Sequence, residues 1–187
     1  MEPHNRKKLL LLARKVLEQE LLGINGNLEQ YNIEPFQQKN GVFVTLLKNG
    51  NLRGCIGRIE ADLPLYKNII DLSKAAAFND HRFEKLTAGE LEEIMIEISI
   101  LSVPKAVEGI SSFEKIMKIK PKKDGVVLSA DGRKATFLPQ VWESIPVRED
   151  FVSDLCRKAG LSRDYWKRNP INLSTYQVEF FKEGKEI

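Results

Sequence analysis

The feature that most constrains this chain is the stretch from Gly41 to Ile59. Gly41 to Leu47 (GVFVTLL) is rich in β-branched and aromatic residues, which suit a pleated, half-buried strand. Lys48-Asn49-Gly50-Asn51 follows. Asn-Gly is the strongest short hairpin signal, because the favoured two-residue turn needs φ > 0 at both central positions. The chain then returns through Leu52 to Ile59 as a second strand. A chain containing this hairpin is committed to antiparallel pairing. Cys55 falls on that second strand or at its rim, and its neighbours Gly54 and Gly57 predict a bulge or a close approach there.

The rest of the pattern fills in around the hairpin. Leu9, Leu12, Ala13, Val16, Leu17 and Leu21 follow helical spacing and predict a helix over 5–22, capped by Asn5 and ended by Gly23. Asp62 with Pro64 opens a second helix running to Phe78. Thr87-x-x-Glu90 reads as a capping box. Ile94, Ile96, Ile98 and Ile100 alternate with Met95, Glu97, Ser99 and Leu101, which predicts a long strand stopped by Pro104. Ser111-x-x-Glu114 opens a short helix. Asp131-Gly132 marks a second hairpin. Arg148 to Ala159 reads as a helix ended by Gly160. Ser162 caps a last short helix, and Ser174 to Lys182 reads as one final strand. Hairpins mixed with scattered helices give an α+β fold with a largely antiparallel sheet flanked by helices, taken as a single domain over 1–187.

Composition excludes several classes. Apolar content is 42% and charged content 29%, ordinary for a globular domain. No apolar run approaches the roughly 18 residues a membrane span requires, and no secretory signal is visible, so the expected compartment is the cytoplasm, with no membrane partner. Cys55 and Cys156 are the two cysteines. They fit a reducing compartment and give no disulfide framework. Two histidines and two cysteines at unrelated positions supply no metal site. No Walker loop or Gly-x-Gly-x-x-Gly occurs, and no cofactor is expected. The net charge of +3 is too small to argue for nucleic acid by itself.

The chemistry concentrates at Leu52-Arg53-Gly54-Cys55-Ile56-Gly57. Nearby cations such as Arg53 or Arg58 favour a thiolate over a thiol, and strand alternation puts Arg53 and Cys55 on one face. Cys55 is therefore the candidate nucleophile. The competing reading is a small buried hydrophobe, the commonest fate of a free cysteine. Gly54 and Gly57 would open the approach of a substrate. Asp80, and with it Glu97, is the better acid–base candidate, since His4 lies at the terminus and His81 reads as an exposed loop residue. Asp80 could equally cap a turn or pair with Arg82. Arg82 could clamp a carboxylate or phosphate, or hold a structural position. Two basic clusters, Lys115 to Lys123 and Arg157 to Arg168, include Tyr165 and Trp166, and aromatics among cations can stack on single-stranded nucleic acid. The alternative is a solvated surface with Trp166 in the core, and the small net charge favours it.

Several blocks in order give the chain a family resemblance that covers nearly its whole length. They are Leu52 to Gly57, the Ala-Ala-Phe-x-Asp-x-Arg-Phe stretch from Ala76 to Phe83, Glu97 to Leu101, Ala135 to Trp142, and Leu155-Cys156-x-Lys158-Ala159-Gly160-Leu161. The chain resembles the AMMECR family, named for the gene-one product of the Alport syndrome, midface hypoplasia and elliptocytosis chromosomal region. The resemblance implies an α+β fold with a larger and a smaller lobe and a cleft between them, and a functional site at the Arg-Gly-Cys-Ile-Gly stretch. The family has no settled activity. Similar proteins are sometimes joined to Memo-like and radical S-adenosylmethionine domains, which implies partners of those kinds. His81 departs from the family's Asp-Pro-Arg-Phe, so no family role passes to it. Two functions follow. The first is an enzyme or enzyme component using Cys55 on a small or nucleotide-like substrate, with Asp80 assisting and Arg53, Gly54, Gly57 and Arg82 binding. The second is a non-catalytic module that binds nucleic acid, a peptide or a partner domain through the same strand.

Overall fold

The Asn49-Gly50 turn takes the left-handed backbone the dipeptide predicts, with φ of 52° and 80°, and joins β1 (Gly41–Lys48) to β2 (Asn51–Arg58). This is a computed structural model that describes residues 1–184. The chain forms two compact units, one of Met1–Leu101 with the segment from Glu179 onward, the other of Ser102–Val178. Five helices and two antiparallel sheets among the described residues make it an α+β protein, and none of those helices is long and apolar enough to cross a membrane.

In the first unit the sheet order is β2-β1-β3-β8, with β3 at Ile94–Leu101 and β8 at Val178–Lys182. Alternation decides which face is covered. Val42, Val44 and Leu46 of β1 and Ile96 and Ile98 of β3 are fully buried, whereas Phe43, Thr45 and Leu47 stay half-buried on the opposite face. The covered face joins one core cluster with α1 (Pro3–Leu22) and α2 (Leu65–Phe78), through Leu9, Leu12, Val16, Ile69 and Leu72. Both helices start near where the sequence places them, with proline setting the entry: Pro3 sits in the first turn of α1 and Pro64 at the N-cap position of α2. Gly23 closes α1 at φ 69°, its N–H donating to the Gln19 carbonyl, the αL ending that glycine permits without steric cost.

In the second unit the order is β4-β7-β5-β6, where β4 is Lys105–Ala106, β5 Gly125–Ala130, β6 Arg133–Phe137 and β7 Asn172–Tyr176. Its core holds Trp142 stacked on Phe151 at 3.7 Å and 5°, with Phe137 edge-on to Phe151 at 5.2 Å. The helices α3 (Ser112–Lys118), α4 (Arg148–Lys158) and α5 (Tyr165–Arg168) surround it. Ile116, Leu155, Cys156 and Trp166 are all buried there. Trp166 is only 7% exposed and its Nε1 donates to Ser153 Oγ at 2.9 Å, so this aromatic is core and does not offer a face to bases.

The final strand is not continuous. It divides at Gln177 into β7, in the second sheet, and β8, in the first. Tyr176 and Phe181 are both buried although five positions apart. A single strand cannot place both on one face, because side chains alternate with period two.

Candidate functional site

The site is built from the glycine-flanked cysteine outward. A two-residue turn pairs Lys48 with Asn51 and Leu47 with Leu52, but the register then slips by one, and Leu46 pairs with Gly54 and Thr45 with Cys55. Arg53 is the extra residue of this bulge. The slip decides the chemistry: an uninterrupted hairpin would put Gly54 opposite Thr45, whereas the bulge puts Cys55 there, and a one-residue shift exchanges the faces. Thr45 Oγ1 donates to Cys55 Sγ at 3.2 Å.

The free edge of β2 is closed by a short loop after α2. The Cys55 amide donates to Asp80 Oδ2 at 2.9 Å, and the Arg82 guanidinium donates to the Cys55 carbonyl at 3.3 Å. Together the two side chains mimic the N–H and C=O partners of a missing strand. Both Cys55 backbone groups therefore point away from β1, so Thr45 and Cys55 form the closer, non-hydrogen-bonded type of cross-strand pair. That is why their side chains touch. Asp80 is 6% exposed and meets Arg82 through two bonds, Nε to Oδ1 at 2.9 Å and NH2 to Oδ2 at 2.7 Å. The Arg82 guanidinium, then the amides of Cys55 and Arg82, hold the Asp80 carboxyl far below its ordinary range, against burial, which pushes it up. Asp80 is thus a fixed anion that accepts hydrogen bonds, and both structural options left open by the sequence, turn closure and pairing with Arg82, are realised.

Arg53 takes a different course from the one alternation predicts. Its Nε and NH2 bond Glu90 Oε1 and Oε2 at 2.9 and 3.0 Å, and NH1 bonds the Glu84 carbonyl at 2.8 Å. Glu90 also accepts the Thr87 amide at 3.1 Å, completing the capping box. Arg53, then the Thr87 amide and Lys48, hold the Glu90 carboxyl well below its usual range, while burial opposes them. The expectation that Arg53 activates Cys55 is corrected here: its donors are spent on this turn because the bulge turns it out of the alternating pattern. Arg58 bonds Asn68 Oδ1 at 3.3 Å and lies 3.8 Å from Asp71.

The glycines are explained by packing. A Cβ on Gly54 would sit 2.2 Å from the Ala76 carbonyl oxygen, so β2 and α2 approach as closely as they do only through that position. A Cβ on Gly57 would lie 2.2 Å from the Phe43 ring, which covers it from the opposite strand, where Phe43 pairs with Gly57. Both glycines let the strand pack closely against its neighbours. His81 is exposed.

Sequence reasoning missed Thr45 and Glu90 as partners. Glu90 was visible only as a capping residue. Thr45 was hidden because turn counting gives the wrong neighbour unless the bulge is known. Glu97 pairs with Thr45 from the other side, so Cys55, Thr45 and Glu97 form one row across three strands on the half-open face. Among the described residues no cluster of three or more His, Cys, Asp or Glu side chains could hold a metal ion.

Comparison with known proteins agrees with this fold. A family model described as AMMECR1 matches residues 10–181. A protein of Methanothermobacter thermautotrophicus is 34% identical over 183 residues, covering 95% of this chain and 93% of its own. A protein of Methanocaldococcus jannaschii is 33% identical over 178 residues, covering 91% and 86%. The crystal structure of an uncharacterised protein from Pyrococcus horikoshii superposes with a TM-score of 0.80 at 30% identity, covering 95% of this chain and 91% of that one.

Proposed function

This chain belongs to the AMMECR1 family, and on that premise we propose that β2 carries the reactive centre of an enzyme or enzyme component in which Cys55 acts on a small or nucleotide-like substrate. The observation that supports this reading most is the half-buried Cys55 thiol, set against the Thr45 hydroxyl at 3.2 Å on a strand whose backbone is pinned by Asp80 and Arg82. A cysteine used only for packing needs no such frame. Thiols react as thiolates, and a donor aimed at sulfur stabilises that form.

The roles divide by position. Cys55 holds or attacks the substrate. Thr45 orients the sulfur by donating to it, and Glu97 is the carboxylate paired with Thr45 from the next strand. Asp80 stays ionised and fixes the strand. Arg82, whose side chain is 59% exposed, keeps guanidinium surface available to an anionic group such as a phosphate or carboxylate. Arg53, Gly54 and Gly57 support the strand that presents the thiol. The Memo-like and radical S-adenosylmethionine proteins implied by the resemblance would act as neighbours in one modification sequence.

A second reading has its own supporting observation. Arg53 and Arg82, the arginines that flank Cys55, both bond carboxylates of the fold, as they would in a strand that serves recognition without covalent chemistry. The two readings part on Cys55→Ser. In cells that depend on the protein, the serine variant should fail to complement while folding normally by circular dichroism. Full complementation would contradict the catalytic reading and favour a binding module.

A further inference from the structure

The second unit carries a feature that the cysteine site does not use. Residues 102–178 contain fourteen Lys and Arg against nine Asp and Glu, a net +5, whereas the remainder of the chain carries fifteen against seventeen, a net −2. The excess is concentrated in 105–123, with six lysines and two glutamates. This same segment exposes apolar side chains. Ile110 is 102% exposed, Phe113 55% and Met117 46%. Phe113 and Met117 stand one turn apart on α3, and Ile110, just before the helix and three positions ahead of Phe113, lines the same groove as Phe113, so the three extend one exposed apolar stripe. Ile116, which lies between Phe113 and Met117 on the helix, is the α3 residue buried in the core. Phe113 and Met117 flank it but stay exposed, an apolar surface of the kind that marks an interaction site.

The cations beside the stripe are available. Among the described residues Lys120, Lys122, Lys123 and Lys167 form no ion pair, while Lys118 pairs with Glu114 and Arg168 lies 3.5 Å from Asp164. A groove of about 420 Å³ next to the stripe has Phe113 on one wall and Lys167 and Arg168 on the other.

We propose that this face of the second unit is a docking surface for an anionic lipid bilayer, with Ile110, Phe113 and Met117 entering the headgroup–acyl boundary and the lysines of 118–123 meeting lipid phosphates. Charge complementarity calls for an anionic partner. The apolar side chains decide which kind. Two of the three, Ile110 and Met117, are aliphatic, and aliphatic groups do not stack on bases as a single-strand platform requires. Apolar insertion combined with basic residues is the physical pattern of surface-lying membrane segments. The expectation of no membrane partner rested on the lack of a spanning run, which has no bearing on a surface that lies on a bilayer.

The test is co-sedimentation of the full chain with phosphatidylcholine vesicles, with and without phosphatidylglycerol. Binding should require phosphatidylglycerol and be largely released at high salt, where charge attraction is screened. The double variant Ile110→Ser with Phe113→Ser, and separately the triple Lys120→Gln, Lys122→Gln and Lys123→Gln, should each weaken partitioning by about tenfold or more. All five positions are exposed, so circular dichroism should be unchanged. The proposal is overturned by no binding to anionic vesicles, by equal binding to neutral ones, or by variants that bind like the parent. Binding of a single-stranded oligonucleotide without vesicle binding would also overturn it and assign the surface to nucleic acid.

Discussion

Cys55 and Cys156 sit in opposite surroundings. Cys156 is fully buried on α4 in the aromatic core of the second unit, and burial pushes its thiol up from the ordinary value. Cys55 is half-buried on an edge strand, touches a hydroxyl, and has a backbone held by a buried carboxylate and an exposed guanidinium. One cysteine is enclosed in the aromatic core, with the Trp166 backbone as a polar contact. The other stands where polar contacts shape the strand around it. Burial closes the first thiol off from solvent, and the pinned edge strand leaves the second half-buried.

The comparison breaks most readily in the second unit. Phe151→Ala removes the ring that stacks on Trp142 and should cost about 3–5 kcal/mol, the usual range for emptying an aromatic core position. Urea denaturation would read the loss, and Cys156 should become open to alkylation while Cys55 is little changed. The first unit breaks next, at Gly54. Gly54→Ala drives a methyl into the Ala76 carbonyl, where backbone must move, and should cost about 3 kcal/mol, the upper part of the overpacking range. Gly57→Ala should cost less, because only the Phe43 ring has to give. Asp80→Ala removes charged hydrogen bonds to Cys55 and Arg82 and should cost about 2 kcal/mol. Hydrogen exchange should rise at β2 while β5 and β7 are unaffected.

A smaller effect distinguishes the units by pH. Asp80 and Glu90, both in the first unit, have carboxyls depressed by their arginine partners. A depressed carboxyl contributes stability above its unfolded value, near 4, and loses it as pH falls through the folded value. The first unit should therefore weaken steadily below about pH 4. Asp80→Asn and Glu90→Gln should flatten that decline, read as the urea midpoint between pH 7 and 2. A parent-like slope in both variants would place the acid sensitivity elsewhere.

Much of the fold could be read from local signals that need no tertiary knowledge. Asn49-Gly50 fixed a hairpin, Thr87-x-x-Glu90 closed as a capping box, and Gly23 ended α1 because each satisfies backbone groups within a few residues. The alternation of Ile94, Ile96, Ile98 and Ile100 marked a strand, and all four are buried in β3. What stayed hidden depended on contacts between distant segments. Nothing local marks Gln177 as the point where the chain changes sheets, and nothing local shows Arg53 as a bulge residue bonded to Glu90. Cys55, Asp80 and Arg82, which the structure brings together, were legible as candidate site residues. The orientation was not, since Thr45 faces Cys55 only after the register slip between Leu46 and Leu47.

The most direct test of the central claim is the alkylation rate of Cys55 and Cys156 on the folded protein across pH 5 to 10, each followed by peptide mass spectrometry. The account predicts rapid modification of Cys55 under native conditions, slowed in Thr45→Val, with Cys156 inert until the protein unfolds. Equal protection of both cysteines would contradict it and leave β2 as a packing or recognition strand.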